Sequence, residues 1–179
     1  DLTGEKPATR ITVVDNMQYY EHKSDFIALA PTSRKTTEVI LDNRTTEIYE
    51  NVFYKCKSLT STIIPDGIKS ISSSAFRYCS SLTSITIPSS VTIIDFAAFS
   101  DCSSLTSITI PESVTSIGSS AFADCSNLIS VSFENKTGWF IARSSTETSG
   151  NPIDVSDPAL NAERISNTWG YNNRYWKRS

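Results

Sequence analysis

Hydrophobic positions return along this chain with a step of 23 residues. Phe53, Phe76, Phe99 and Phe122 share one register, and Leu59, Leu82, Leu105 and Leu128 share another. Ile48, Ile71, Ile94 and Ile117 keep the same spacing, as do Cys56, Cys79, Cys102 and Cys125. Within each step a second pattern appears. The segment L-T-S-I-T-I, as at Leu105 to Ile110, alternates apolar and polar residues and is rich in β-branched side chains. That pattern predicts a short strand with Ile108 and Ile110 inward and Ser107 and Thr109 outward. Pro65, Pro88 and Pro111 follow directly, and a proline lacks the N–H that a ladder needs, so each strand stops there. The chain then crosses through Val114 and Ile117. Ser119 or Ser120 is placed to cap a single helical turn that carries Ala121, Phe122 and Cys125 inward. So short a turn has little intrinsic stability and depends on packing.

A fixed period of this size means one supersecondary unit stacked on copies of itself, a solenoid. The predicted organisation is an N-terminal tail and degenerate leading coil over residues 1–40, four 23-residue units over 41–133, and a C-terminal cap over 134–179. TRITVVDN (Thr9 to Asn16) echoes TTEVILDN (Thr36 to Asn43) at a step of 27, which suggests a leading coil with a short insertion. The first unit departs from its siblings: Thr62 and Ile63 reverse the Ile-Thr order, and Asp42 stands where the others have Pro. Either Ile63 is exposed on the strand face or the register shifts locally. Past Phe133 the repeat ends and aromatics gather, with Trp139, Trp169 and Trp176 joined by Tyr171 and Tyr175. Such a segment suits a cap, which must cover an otherwise open core.

Composition narrows the reading. The chain has 179 residues, 39% of them hydrophobic and 20% charged, enough for one domain with a real core. A net charge of −3 gives no basic field for nucleic acid. Arg174, Lys177 and Arg178 read as a solvated end. No apolar run approaches the ~20 residues of a membrane-spanning helix. The chain begins at Asp1 without Met or leader, as expected of a processed or trimmed chain, which leaves export open. The four cysteines stack one unit apart and point the same way, whereas a disulfide needs its Cβ atoms turned toward each other. Zinc ligands come in close pairs, and the single histidine, His22, lies far off in sequence. The cysteines therefore read as buried free thiols acting as small hydrophobes.

The segment L-T-S-I-T-I-P, followed by Val114, Ile117, Ala121–Phe122 and Cys125-x-x-Leu128, resembles the BspA-type leucine-rich repeat, and the likeness recurs through residues 41–133. FENKTGWFIA and NTWGYNNRYWKRS are similar to C-terminal caps of such proteins. It departs from the ordinary pattern L-x-x-L-x-L-x-x-N/C-x-L, because the ladder position holds Ser113 and the Cys lies upstream of its Leu. The resemblance implies a leucine-rich-repeat solenoid, an α/β-type right-handed coil. It would carry a short parallel sheet on the concave face, short helical turns on the convex side and an aromatic-rich C-terminal cap. It also implies an exported bacterial cell-surface protein, acting without cofactor as an adhesin toward host extracellular matrix or another cell.

Little in the sequence points to catalysis. The single histidine lies in the polar stretch YYEHKSD and reads as a surface residue, leaving no Ser–His or Cys–His arrangement. No glycine-rich phosphate loop is present. Asp154 and Asp157 suit either a weak calcium loop or Asx-type turns, the prolines nearby favouring turns. Neither a catalytic nor a metal site is expected. Two faces are candidates for binding. On the concave side Ser61, Ser84, Ser107 and Ser130 form one column and Ile63, Thr86, Thr109 and Ser132 the next, a grid suited to an extended peptide or a glycan. The competing reading is that Ser and Thr only solubilise that face and pair across it. In the tail, Trp169, Tyr171, Arg174, Tyr175 and Trp176 combine aromatics with a cation as a glycan site would, although cap packing accounts for the same residues. The expected assembly is a monomer that binds a protein or glycan.

Overall fold

A computed structural model describes residues 10–14, 16–22, 25–166 and 174–179. Two families of short strands run along the stack. On the concave side β4 (Glu38–Ile40) pairs in parallel with β6 (Ser61–Ile63), and β9 (Ser107–Ile110) pairs in parallel with β11 (Ser130–Phe133). The second family lies where each unit turns back. There β7 (Ser70–Ile71), β8 (Ile93–Ile94) and β10 (Ser116–Ile117) pair in parallel, and β5 (Glu47–Ile48) lies one step before them. Every one of these pairings joins residues 23 apart, so the sequence period is the pairing register.

The pattern's inward set forms the core. Ile108 and Ile110 are buried while Ser107 and Thr109 are exposed, and β9 stops at Pro111 as the missing N–H requires. Phe53, Phe76, Phe99 and Phe122 stack with ring centroids 4.8, 5.3 and 5.2 Å apart and near-parallel planes. In the first unit Ile63 is 57% exposed and Thr62 is buried, with no shift of register. Thr62 thus occupies the column of Val39, Ile85, Ile108 and Val131, and its hydroxyl has no hydrogen-bond partner. Ser113, at the ladder position, is half-buried and its hydroxyl donates to the Val91 carbonyl at 2.6 Å.

The crossing after each second-family strand is not the serine-capped helical turn expected from the sequence. It is a run of tight turns closed by bonds three residues back, such as Ala121 N–H to Gly118 and Ala123 N–H to Ser120. Two residues of each unit stand at left-handed φ: Asn51, Ser74, Ala97 and Ser120 in one column, and Lys55, Tyr78, Asp101 and Asp124 in the other. Each left-handed residue breaks the run of helical dihedrals, so no helix can propagate.

The ends are built differently. At the N-terminus β1 (Arg10–Val14), β2 (Met17–His22) and β3 (Asp25–Pro31) form an antiparallel sheet, and β3 joins β5 in parallel. At the C-terminus β14 (Tyr175–Arg178) pairs antiparallel with β10, followed by β12 (Trp139–Ala142) and β13 (Asn151–Pro152). Helix α1 (Pro158–Ser166) packs on β11 through Asn161, Ala162 and Ile165. Trp139 and Trp176 are buried against Phe133, at centroid distances of 4.8 and 6.0 Å.

Candidate functional site: the concave strand face

The alternation that buries Ile85, Ile87, Ile108 and Ile110 turns the intervening hydroxyls outward. Ser84, Thr86, Ser107 and Thr109 are exposed, and Ser61, Ser130 and Ser132 are half-buried. Ser107 pairs with Ser130 and Thr109 with Ser132, so the two predicted columns stand side by side. The predicted cross-face pairing of hydroxyls is not seen: none of these seven hydroxyls makes a hydrogen bond within the described residues. The face also extends one strand beyond the two expected columns. Glu38 pairs with Ser61 and Ile40 with Ile63, adding a carboxylate and a second exposed isoleucine, Ile40, at 53% exposure. Their position one period before Ser61 and Ile63 was the available signal.

The ladder has a gap. Residues 84–87 make no backbone hydrogen bond to either neighbouring strand, and a cleft of about 250 Å³ opens beside them. Ser84 to Ile87, Ser107 to Thr109, Pro111 and Glu134 line it. Peptide N–H and C=O groups left without partners are strong hydrogen-bonding groups waiting for one.

The tail candidates separate. Trp176 is buried in the cap, Tyr175 is half-buried, Arg174 is exposed, and Trp169 and Tyr171 lie outside the described residues. Tyr175 lines a second cleft, of about 580 Å³, between the β8–β10 ladder and the cap, together with Ile93, Phe140, Glu147 and Lys177. Asp154 accepts the Ser156 N–H at 2.8 Å, an Asx turn. Asp157 accepts the N–H groups of Ala159 and Leu160, so it is the N-cap of α1. Among the described residues no His, Cys, Asp and Glu side chains converge as a metal site.

All four cysteines are buried free thiols. Cys79, Cys102 and Cys125 each donate to the carbonyl of the phenylalanine one unit back, Phe53, Phe76 and Phe99, at 3.1–3.2 Å. They are therefore donors as well as small hydrophobes. Burial pushes their ionisation up, that of Cys125 to about 12 and those of Cys79 and Cys102 well above the ordinary thiol range. Protonated at neutral pH, they are not nucleophiles.

Stacked identical units, strands along one side and a sealed core define a repeat solenoid, a scaffold whose working parts are its surfaces. The chain belongs to the family of the BspA type leucine rich repeat region, which matches residues 32–144 in six copies. Among solved structures it is similar to a Treponema pallidum leucine rich repeat protein, at 25% identity and a TM-score of 0.61, over 69% of this chain and 64% of that one. A leucine-rich repeat protein from Bacteroides ovatus is 29% identical with a TM-score of 0.60, over 68% and 40% of the two chains. The pneumococcal vaccine antigen PcpA shares the fold, at 20% identity and a TM-score of 0.64, over 76% of this chain and 33% of that one. The chain spans less than two thirds of the length of each of these three. Comparison with curated proteins finds no match. No helix among the described residues is long and apolar enough to cross a membrane.

Proposed function

We propose that this chain is a non-catalytic module of an exported bacterial surface protein and that it adheres to a protein partner, such as a host matrix protein, through its concave face. The residues assigned are Ser61, Ile63, Ser84, Thr86, Ser107, Thr109, Ser130 and Ser132, extended by Glu38 and Ile40. One observation carries the reading: the face presents seven hydroxyls and a run of peptide groups at 84–87 that no other described residue satisfies. A partner lying across the strands meets those groups and can rest an apolar side chain on Ile40 and Ile63. Membership of the BspA type leucine rich repeat family supports the reading as a surface interaction module. The test is saturable binding of the purified chain to immobilised matrix proteins. Loss of binding on changing Ser84, Thr86, Ser107 and Thr109 together to Lys, with the circular dichroism spectrum unchanged, is the expected result. Binding that survives the four changes removes the concave face from consideration.

A carbohydrate reading has one observation in its favour, the cleft that holds Tyr175 beside Ser116, Glu147 and Lys177. With Trp176 buried, Tyr175 is the described aromatic left to stack on a sugar. A glycan array separates the two readings, because glycan binding lost in Tyr175→Ser but kept in the four-lysine variant places the site at the cap.

A further inference from the structure

The fold demands a left-handed residue at the same point of every unit, and the four units answer that demand differently. Asp101 and Asp124 occupy it in the later two, at φ 62° and 58°. Aspartate is among the few side chains that tolerate this conformation. The first two units place Lys55 and Tyr78 there, at φ 61° and 63°, against local preference. Stacking fixes the conformation, since the N–H of Lys55 and of Tyr78 bonds to the next unit, but it does not call for these two side chains. A side chain that breaks a local rule points to a role of its own.

These two residues anchor one cluster. The Tyr54 and Tyr78 rings meet edge to face at 5.6 Å, and the Lys55 Nζ lies 5.1 Å from the first ring centroid and 5.9 Å from the second. The Arg77 guanidinium sits 4.9 Å from the Tyr78 ring centroid, and Nη2 is 3.3 Å from the phenol oxygen. Arg77 Nε is buried and ion-paired with Asp101 at 3.8 Å, and Nη2 is held by the Tyr78 phenol, so Nη1 is the part of this cation that makes no hydrogen bond among the described residues. Along the left-handed column the charge passes from Lys55 through Tyr78 to Asp101 and Asp124.

We propose that Tyr54, Lys55, Arg77 and Tyr78 form a second binding surface, which takes an acidic segment of a protein partner. Tyrosine and arginine are the side chains that dominate protein interfaces energetically, and a guanidinium with free N–H groups suits a carboxylate. The chemistry favours a protein segment over a sulfated glycan. Lys55 and Arg77 are grouped with an aromatic surface, the neighbouring cation Arg34 is tied to the Val52 and Tyr54 carbonyls, and Asp101 and Asp124 repel a continuous polyanion running on along the same column. The inference goes beyond the concave-face reading and does not depend on it.

The experiment uses the full chain and an array of decapeptides rich in Asp and Glu, each beside its Asn/Gln counterpart, with a heparin oligosaccharide as polyanion control. The variant Lys55→Asn/Tyr78→Asn relieves both left-handed residues, so it should melt at a higher temperature than the parent. The expected result is saturable, salt-weakened binding of acidic peptides and not of their amide counterparts, reduced at least about tenfold in that variant. Lys55→Gln/Arg77→Gln, which leaves Tyr78 in place, should lose binding equally, and the four-lysine concave variant should retain it. Absence of any acid-specific peptide overturns the proposal. So does binding that both double variants retain, or a preference for heparin over every peptide.

Discussion

The interior units and the first unit follow one template and satisfy it by different means. In the interior, peptide groups of one unit bond to the next: Phe76 and Tyr78 donate to Ala98 and Ser100, and Phe99 and Asp101 donate to Ala121 and Ala123. The first unit has no such neighbour before it, so the carbonyls of Val52 and Tyr54 would be left over. Arg34 covers both, with Nη1 at 3.1 and 2.6 Å, and reaches the Cys56 sulfur at 3.4 Å. One guanidinium thus replaces a missing strand of backbone. At the other end the last carbonyl of α1, at Ser166, receives the Asp124 N–H, and the buried Asn161 amide donates to the Val131 carbonyl. On the side of the tight turns the periodic interior satisfies itself, whereas each end relies on a side chain or a helix terminus.

The widest separation between the two regions should appear in alkali. The thiols of Cys79, Cys102 and Cys125 ionise far higher in the folded chain than in the unfolded one. Their contribution to stability is therefore complete below about pH 9 and is lost as pH rises toward the folded values. Each should remove about 1.4 kcal/mol per pH unit above that point. Thermal melts from pH 7 to 11 should show a steep fall that the triple Cys→Ala variant lacks. An equal slope in both would refute the thiol account.

Next in size is the phenylalanine ladder. Phe99→Ala should cost about 3–5 kcal/mol in urea unfolding, and Phe53→Ala less, because Phe99 stacks on two rings of the ladder and Phe53 on one. Equal costs would mean that the stack itself contributes little beyond burial.

Arg34→Met should cost about 1–3 kcal/mol by uncovering two carbonyls. Native-state hydrogen exchange should rise in the first unit before the interior if the cap is local. The smallest effect runs the other way. Thr62→Val removes a buried hydroxyl without a partner while keeping the shape, and should stabilise the chain by about 1 kcal/mol. A destabilised Thr62→Val would show that this hydroxyl is satisfied after all.

Much of this was readable from residue order. The inward columns, the end of β9 at Pro111 and the unpaired state of the thiols all follow from spacing and side-chain type, whereas the strand expected before Pro88 does not form. The outward hydroxyls of the concave face were readable for the same reason. Glu38 and Ile40 were not picked out, because their unit has lost the Phe, Cys and Leu that mark the register elsewhere. The gap at 84–87 leaves no trace in the residues, which read S-I-T-I there as they do at 107–110. The helical turn expected at Ser119 or Ser120 failed because helix propensity takes no account of two left-handed residues imposed by stacking. The cluster at Tyr54 and Tyr78 was hidden because its members lie one unit apart and meet only across the stack.

By itself, then, the sequence determined the repeating part of this protein: its period, its inward face and the register of its ladders. Those are consequences of each unit meeting a copy of itself, so one unit's pattern states the contacts of all. The tertiary structure alone decided how the stack ends, which side chains stand in for the absent neighbours, and where groups are left without partners. Such contacts join segments of different sequence, and no periodicity records which atoms will meet.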